Sequence, residues 1–105
     1  MTIWVTDREP AAKAVDVNDE YLTVLLDDGR KVSNPLPWYP RLLRGTPAER
    51  KNYELLGDGE VIRWPDLDED LSAESILAGR RSGENEQSLA RWLSTREGNS
   101  SIKSL

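Results

Sequence analysis

The side chains best placed to do chemistry are the acids Asp66, Asp68, Glu69, Asp70 and Glu74, which follow a Trp64-Pro65 step. The chain contains neither Cys nor His. That removes thiolate redox chemistry, Ser–His and Cys–His nucleophilic machinery, and every metal site built on sulfur or imidazole. Catalysis would have to rest on carboxylates, Lys, Tyr, Ser or Thr, or on a hard cation held by oxygen. Asp66, Asp68 and Asp70 imitate the opening of a calcium loop, but Leu71 occupies the sixth position, where Gly is needed. Leu77 occupies the twelfth, where a bidentate Glu belongs. The EF-hand reading therefore fails.

Three readings of the acid run remain. Carboxylates just ahead of a helix capped by Ser72 sit near the positive end of its dipole, a structural role. A negative patch facing a basic partner would speed encounter and favour selectivity. An oxygen-ligated hydrolase using Asp66, Asp68 and Asp70 is the enzymatic alternative. Gly79-Arg80-Arg81-Ser82-Gly83 is neither a nucleophile elbow nor a phosphate loop, since both need other spacings. No catalytic residue, metal ligand or cofactor site is assigned, and a non-enzymatic role is expected.

The elements that position these acids are short. Val61, Ile62 and Trp64 form a β-rich run that Pro65 ends, because proline cannot donate to a ladder. Ser72 is the expected N-cap of a helix ending at Gly79, with Leu71 and Ile76 at hydrophobic-staple spacing. Upstream, Tyr21–Leu26 reads as a strong strand, and Asp27-Asp28-Gly29 as a tight turn returning through 30–33. A meander over about 12–34 follows. Residues 37–44 are expected as one or two helical turns ending at Gly45. Thr46-Pro47-Ala48-Glu49 is a capping box that opens the next helix. Gly57-Asp58-Gly59 joins a hairpin from 53–56 to 60–64.

Arg41, Arg44, Arg50 and Lys51 read as a basic cluster on a solvated helix face, with a local nucleic-acid contact as the alternative. A last helix over 85–96 carries Leu89, Trp92 and Leu93 as a narrow stripe, which either closes the core or makes a two-fold contact between chains. Thr2–Val5 is expected as an edge strand anchored by Trp4. Residues 98–105 are expected as a disordered tail, leaving one domain over 1–97. The fold class is α+β: a small antiparallel sheet, meander plus hairpin, packed by three to four short helices.

Composition bounds the role. A chain of 105 residues supports one modest core, and four Trp and three Tyr can anchor it. The net charge is −5, with a pI near 4.7. That argues against a nucleic-acid footprint spread over the whole surface and suits a basic protein partner. No apolar run reaches the roughly 18 to 20 residues of a membrane span. Absence of Cys suggests a reducing, cytoplasmic setting.

In this order of elements, Tyr21, Leu22, Leu26 and the Asp28-Gly29-Arg30 turn lead to L-G-D-G-x-V-I-x-W-P, residues 56–65. Then D-L-D-E-D-L-S-x-E-x-I-L-A-G covers 66–79. The chain thereby resembles the bacterial family called domain of unknown function 2442, over roughly residues 11–80. A subtype with a trailing S-L-x-x-W-L extends the likeness to about residue 96. The resemblance implies a small α+β domain without accepted catalytic residues. Some members are encoded beside a second small protein and are proposed as antitoxins; others carry an added helix-turn-helix domain, for which no room is expected after residue 80. On that basis the chain is expected to be an interaction module, an antitoxin-like neutraliser of a small co-encoded protein. Its contact residues would be Trp64, Asp66, Asp68, Glu69, Asp70 and Glu74. A DNA-binding autoregulator is the alternative, and homo-oligomerisation through Leu89, Trp92 and Leu93 is a further expectation.

Overall fold

A computed structural model describes residues 10–104, with side chains to Arg96. The expected strand at Thr2–Val5 lies outside the described residues. Among the described residues, six strands form two antiparallel three-stranded sheets, accompanied by four α-helices.

The first sheet is the expected meander: β1 (Ala12–Val17), β2 (Tyr21–Leu26) and β3 (Lys31–Pro35), in that order. Its turns form for local reasons. The Asn18 side-chain oxygen accepts from the backbone N–H groups of Glu20 and Tyr21 at 2.8 and 2.7 Å, an Asx turn that reverses the chain. Gly29 takes φ +95°, a conformation that costs glycine least. Along β2 the side chains alternate, and Leu22, Val24 and Leu26 are buried. Asn34, on β3, is buried too, and its amide donates to the Tyr39 hydroxyl and the Ile76 carbonyl, each at 2.9 Å. A polar side chain at this depth needs such partners, and it ties the first sheet to the later helix.

Residues 36–44 divide at Tyr39 into a 3-10 turn (Leu36–Trp38) and a short α1 (Pro40–Leu43). Then α2 (Pro47–Lys51) opens with the full expected capping box between Thr46 and Glu49. The second sheet follows: β4 (Glu54–Leu56), a tight Gly57–Gly59 turn, β5 (Val61–Trp64) and β6 (Glu69–Ser72). Gly59 is buried at φ +95°, and a Cβ there would lie 2.2 Å from the Ala12 carbonyl. The hairpin tip therefore seats directly against β1.

Strand β6 departs from the expected irregular acid run. A 3-10 turn at Pro65–Leu67 and a left-handed Asp68 (φ 50°) reverse the chain, so Glu69–Ser72 pairs back on β5. The acids hid this strand, since Asp and Glu are poor β-formers. Helix α3 (Ala73–Leu77) starts as expected, with the Ser72 hydroxyl accepting from the Ser75 N–H at 3.1 Å, and Gly79 closes it at φ +76°. Helix α4 runs Glu86–Ser104, so its backbone continues through most of the stretch expected as a tail.

One buried cluster draws on both sheets: Leu22, Val24 and Leu26 meet Tyr39, Leu42, Ile62, Trp64 and Leu67. Trp64 is its largest member, 0% exposed, and its indole N–H donates to the Arg50 carbonyl at 3.0 Å.

Candidate functional site: a buried carboxylate and an outward acid face

Strand register decides what each acid can do. Across β5 and β6 the partners are Val61–Ser72, Ile62–Leu71, Arg63–Asp70 and Trp64–Glu69. Cross-strand partners share a face, and successive residues alternate. Ile62, Trp64, Leu71 and Glu69 therefore point inward, while Arg63, Asp70, Val61 and Ser72 point out. The β4–β5 register adds Glu54 beside Arg63 and Leu56 beside Val61 on the outer face.

The outward acids are held by cations and amides of the same chain. Arg63 pairs with Asp70 at 2.7 Å and approaches Asp68 at 3.6 Å. The Asn52 amide donates to Asp66 at 2.9 Å, and Arg80 grips Glu74 through both carboxylate oxygens at 3.1 and 3.2 Å. The Asp68 side chain nevertheless remains 74% exposed. Among the described residues, no three acids converge in a way that could hold a metal ion. Trp64, expected as a contact residue, is instead a core side chain behind this face. Full burial and a committed N–H leave it nothing to present to a partner.

Glu69 is the acid that turns inward. One of its carboxylate oxygens is buried without a hydrogen-bond partner. Burial raises its pKa to about 7; Arg41 draws it down, Glu84 adds to the rise, and Asp70 acts both ways, its backbone N–H lowering the pKa and its charge raising it. Taking a carboxylate out of water disfavours its charged form, and a neighbouring like charge does the same. The two strongest neighbours come from elements remote in sequence. Arg41 lies on α1, and Glu84 lies in the segment before α4. Arg41 donates to Glu84 through Nε, reaches its other oxygen at 3.4 Å, and donates through Nη1 to the Asp68 carbonyl at 2.8 Å. The Ser88 hydroxyl also donates to Glu84. Burial pushes Glu84 up, but these bonds and the Arg41 charge outweigh it, and its pKa falls below the ordinary value.

Two guanidinium groups lie over the Trp92 ring of α4, Arg41 at 5.2 Å and Arg96 at 4.8 Å from its centroid. Arg96 in turn grips Glu49 at 2.9 and 3.2 Å, which holds the Glu49 pKa down. Of the expected helix stripe, Trp92 packs against the core of its own chain, and Leu89 and Leu93 are half-buried. The supposed solvated basic cluster is corrected in part: Arg44 and Lys51 are exposed as expected, but Arg41 is half-buried and Arg50 buried. Arg50 is only 7% exposed and donates to the Leu42 and Leu43 carbonyls and to Asp19. Arg41 and Glu84 went unnoticed as site residues because they approach Glu69 only through tertiary structure. For Glu69 itself a signal existed, in the alternation Glu-Asp-Leu-Ser over 69–72.

The family described as "Protein of unknown function (DUF2442)" matches residues 12–82. The chain belongs to this family. The match spans both sheets and ends before α4. Among solved structures, a protein of unknown function from Rhodospirillum rubrum is 26% identical, with a TM-score of 0.62, covering 73% of this chain and 95% of that one. An uncharacterized protein from Chromobacterium violaceum shares the fold at 19% identity and a TM-score of 0.59, covering 77% of this chain and 74% of the other. No curated protein matches the chain. Among the described residues, no helix is long and apolar enough to cross a membrane.

Proposed function

We propose that this DUF2442 domain is a non-enzymatic protein-interaction module whose contact surface is the outer face of the second sheet. The observation that carries the reading is the makeup of that face. Leu56, 42% exposed, stands beside Val61 and forms an apolar row. Glu54, Arg63 and Asp70 form a charged row next to it. An apolar centre beside a charged rim is the usual anatomy of a protein interface. Asp66, Asp68 and Glu74 extend the negative border, and the net charge of −5 favours a basic partner.

A small basic protein encoded next to this chain, neutralised by it in the manner of an antitoxin, is the more specific form of the reading. The setting it implies is cytoplasmic. Co-expression with the neighbouring reading frame, followed by size-exclusion chromatography, tests it. A stoichiometric complex that is lost in Leu56→Glu and in Asp70→Lys supports the reading. No complex, or one indifferent to both substitutions, refutes it.

A further inference from the structure

Strand β4 is an edge of the second sheet, and all three of its residues are exposed. Which of its backbone groups lie open follows from the ladder beside it. The Ala73 N–H donates to the Glu60 carbonyl at 2.9 Å. That bond brackets Val61–Ser72 as a pair without hydrogen bonds of its own, because bonded and unbonded pairs alternate along an antiparallel ladder. The backbone of Val61 therefore turns to β4 and bonds Leu56, its partner there. Arg63 meets Glu54 in the same way, and the N–H and C=O of Leu55 are left facing the free edge.

The other strand edges are guarded. On β1, Val15 gives its N–H to the Tyr53 hydroxyl at 3.2 Å. Strand β3 carries Lys31 and Pro35, residue types that discourage further pairing. Around β6, Arg41 holds the Asp68 carbonyl and the Ser75 hydroxyl holds the Ser72 carbonyl. Strand β4 has no Lys, no Pro and no register shift.

We propose that β4 takes up an extended segment of the basic partner as a fourth, antiparallel strand, bonded through the Leu55 N–H and C=O. Strand addition rests on the outer face of this sheet being the contact surface, and it also specifies the side chains of the segment. Residues opposite one another share a face. An apolar residue opposite Leu55 would cover a side chain that is 37% exposed on the inner face, and another would cover Leu56 on the outer face. Opposite Glu54 a cation fits. The neighbouring Arg63 is engaged by Asp70 and Asp68, and among the described residues no cation closes on Glu54. Exposed Asp58 and Glu60 continue the negative charge around the hairpin tip. From its N-terminal side the segment reads apolar, apolar, basic, opposite Leu56, Leu55 and Glu54.

Two nearer occupants match the edge less well. A second copy pairing about Leu55 sets Glu54 against Leu56 at both ends. Thr2–Val5 of the same chain has no cation to offer Glu54.

The test uses the full chain, alone and co-expressed with the product of the neighbouring reading frame, and follows exchange of the Leu55 N–H by NMR. That amide should exchange fast in the free chain and at least about a hundredfold more slowly in the complex. Replacing Leu55 by leucic acid keeps the side chain but exchanges the N–H for an ester oxygen, and should weaken binding about tenfold. Glu54→Lys, an exposed change, should weaken it by a similar factor. A complex in which the Leu55 N–H exchanges as fast as in the free chain overturns strand addition and leaves the outer-face contact standing. Slow exchange already in the free chain overturns it too, since residues 1–9 or a second copy would then hold the edge. Failure to form any complex removes the outer-face reading, and strand addition with it.

Discussion

Replacing Glu69 by Gln should remove a pH dependence of stability that wild type carries. The carboxyl ordinarily titrates near 4.5 and is held in the fold at about 7. At about 1.36 kcal/mol per pH unit, and allowing for screening where the side chain is partly wet, the fold disfavours the ionised form by about 2 to 3 kcal/mol. The sign follows from proton counting. Between pH 4.5 and 7 the folded chain holds a proton that the unfolded chain has released, so stability falls as pH rises. The contribution is complete below the unfolded value and gone once pH passes the folded one. Glutamine keeps the shape of the neutral acid and cannot ionise. Urea unfolding at pH 4.5 and pH 8 should give similar stabilities for the two proteins at the lower pH. At pH 8 the variant should be more stable by about 2 to 3 kcal/mol. Parallel pH profiles for wild type and Glu69→Gln would refute the reasoning, because the carboxyl would then titrate alike in both states.

Other outcomes follow from the packing. Gly59→Ala places a Cβ 2.2 Å from the Ala12 carbonyl at φ +95°, and should cost several kcal/mol in thermal or urea melts or prevent folding outright. Arg50→Ala leaves the Leu42 and Leu43 carbonyls without their donor and should cost about 2 to 4 kcal/mol by the same melts. Trp64→Ala should cost about 3 to 5 kcal/mol, as expected for deleting a buried indole. Leu56→Glu, on the open face, should change stability by less than about 1 kcal/mol while abolishing partner capture.

Much of the fold was legible because its signals are local. The alternation of Leu22, Val24 and Leu26, the Asp28-Gly29 turn, the Thr46–Glu49 capping box and the Ser72 cap each depend on neighbours within a few residues. Strand β6 was less so. Its pattern was present, but poor strand formers masked it, and pairing with β5 overrode their propensity. The site was hardest to see. Five clustered acids look alike in sequence, yet register sends Asp70 out to Arg63 and Glu69 in beside Trp64. The inward acid acquires its character first from burial, then from Arg41, which opposes the shift, and Glu84, which adds to it, at sequence separations that no local pattern reports. Arg50 shows the same effect, since its carbonyl acceptors, Leu42 and Leu43, are supplied by the end of α1.

Site-specific photocrosslinking in the native host tests the proposed interface most directly. A crosslinking residue at position 56, on the outer face of the second sheet, should trap one partner. The same residue at position 13, exposed on the first sheet, should trap none. Equal trapping at both positions, or adducts at position 13 alone, would contradict the placement of the contact surface.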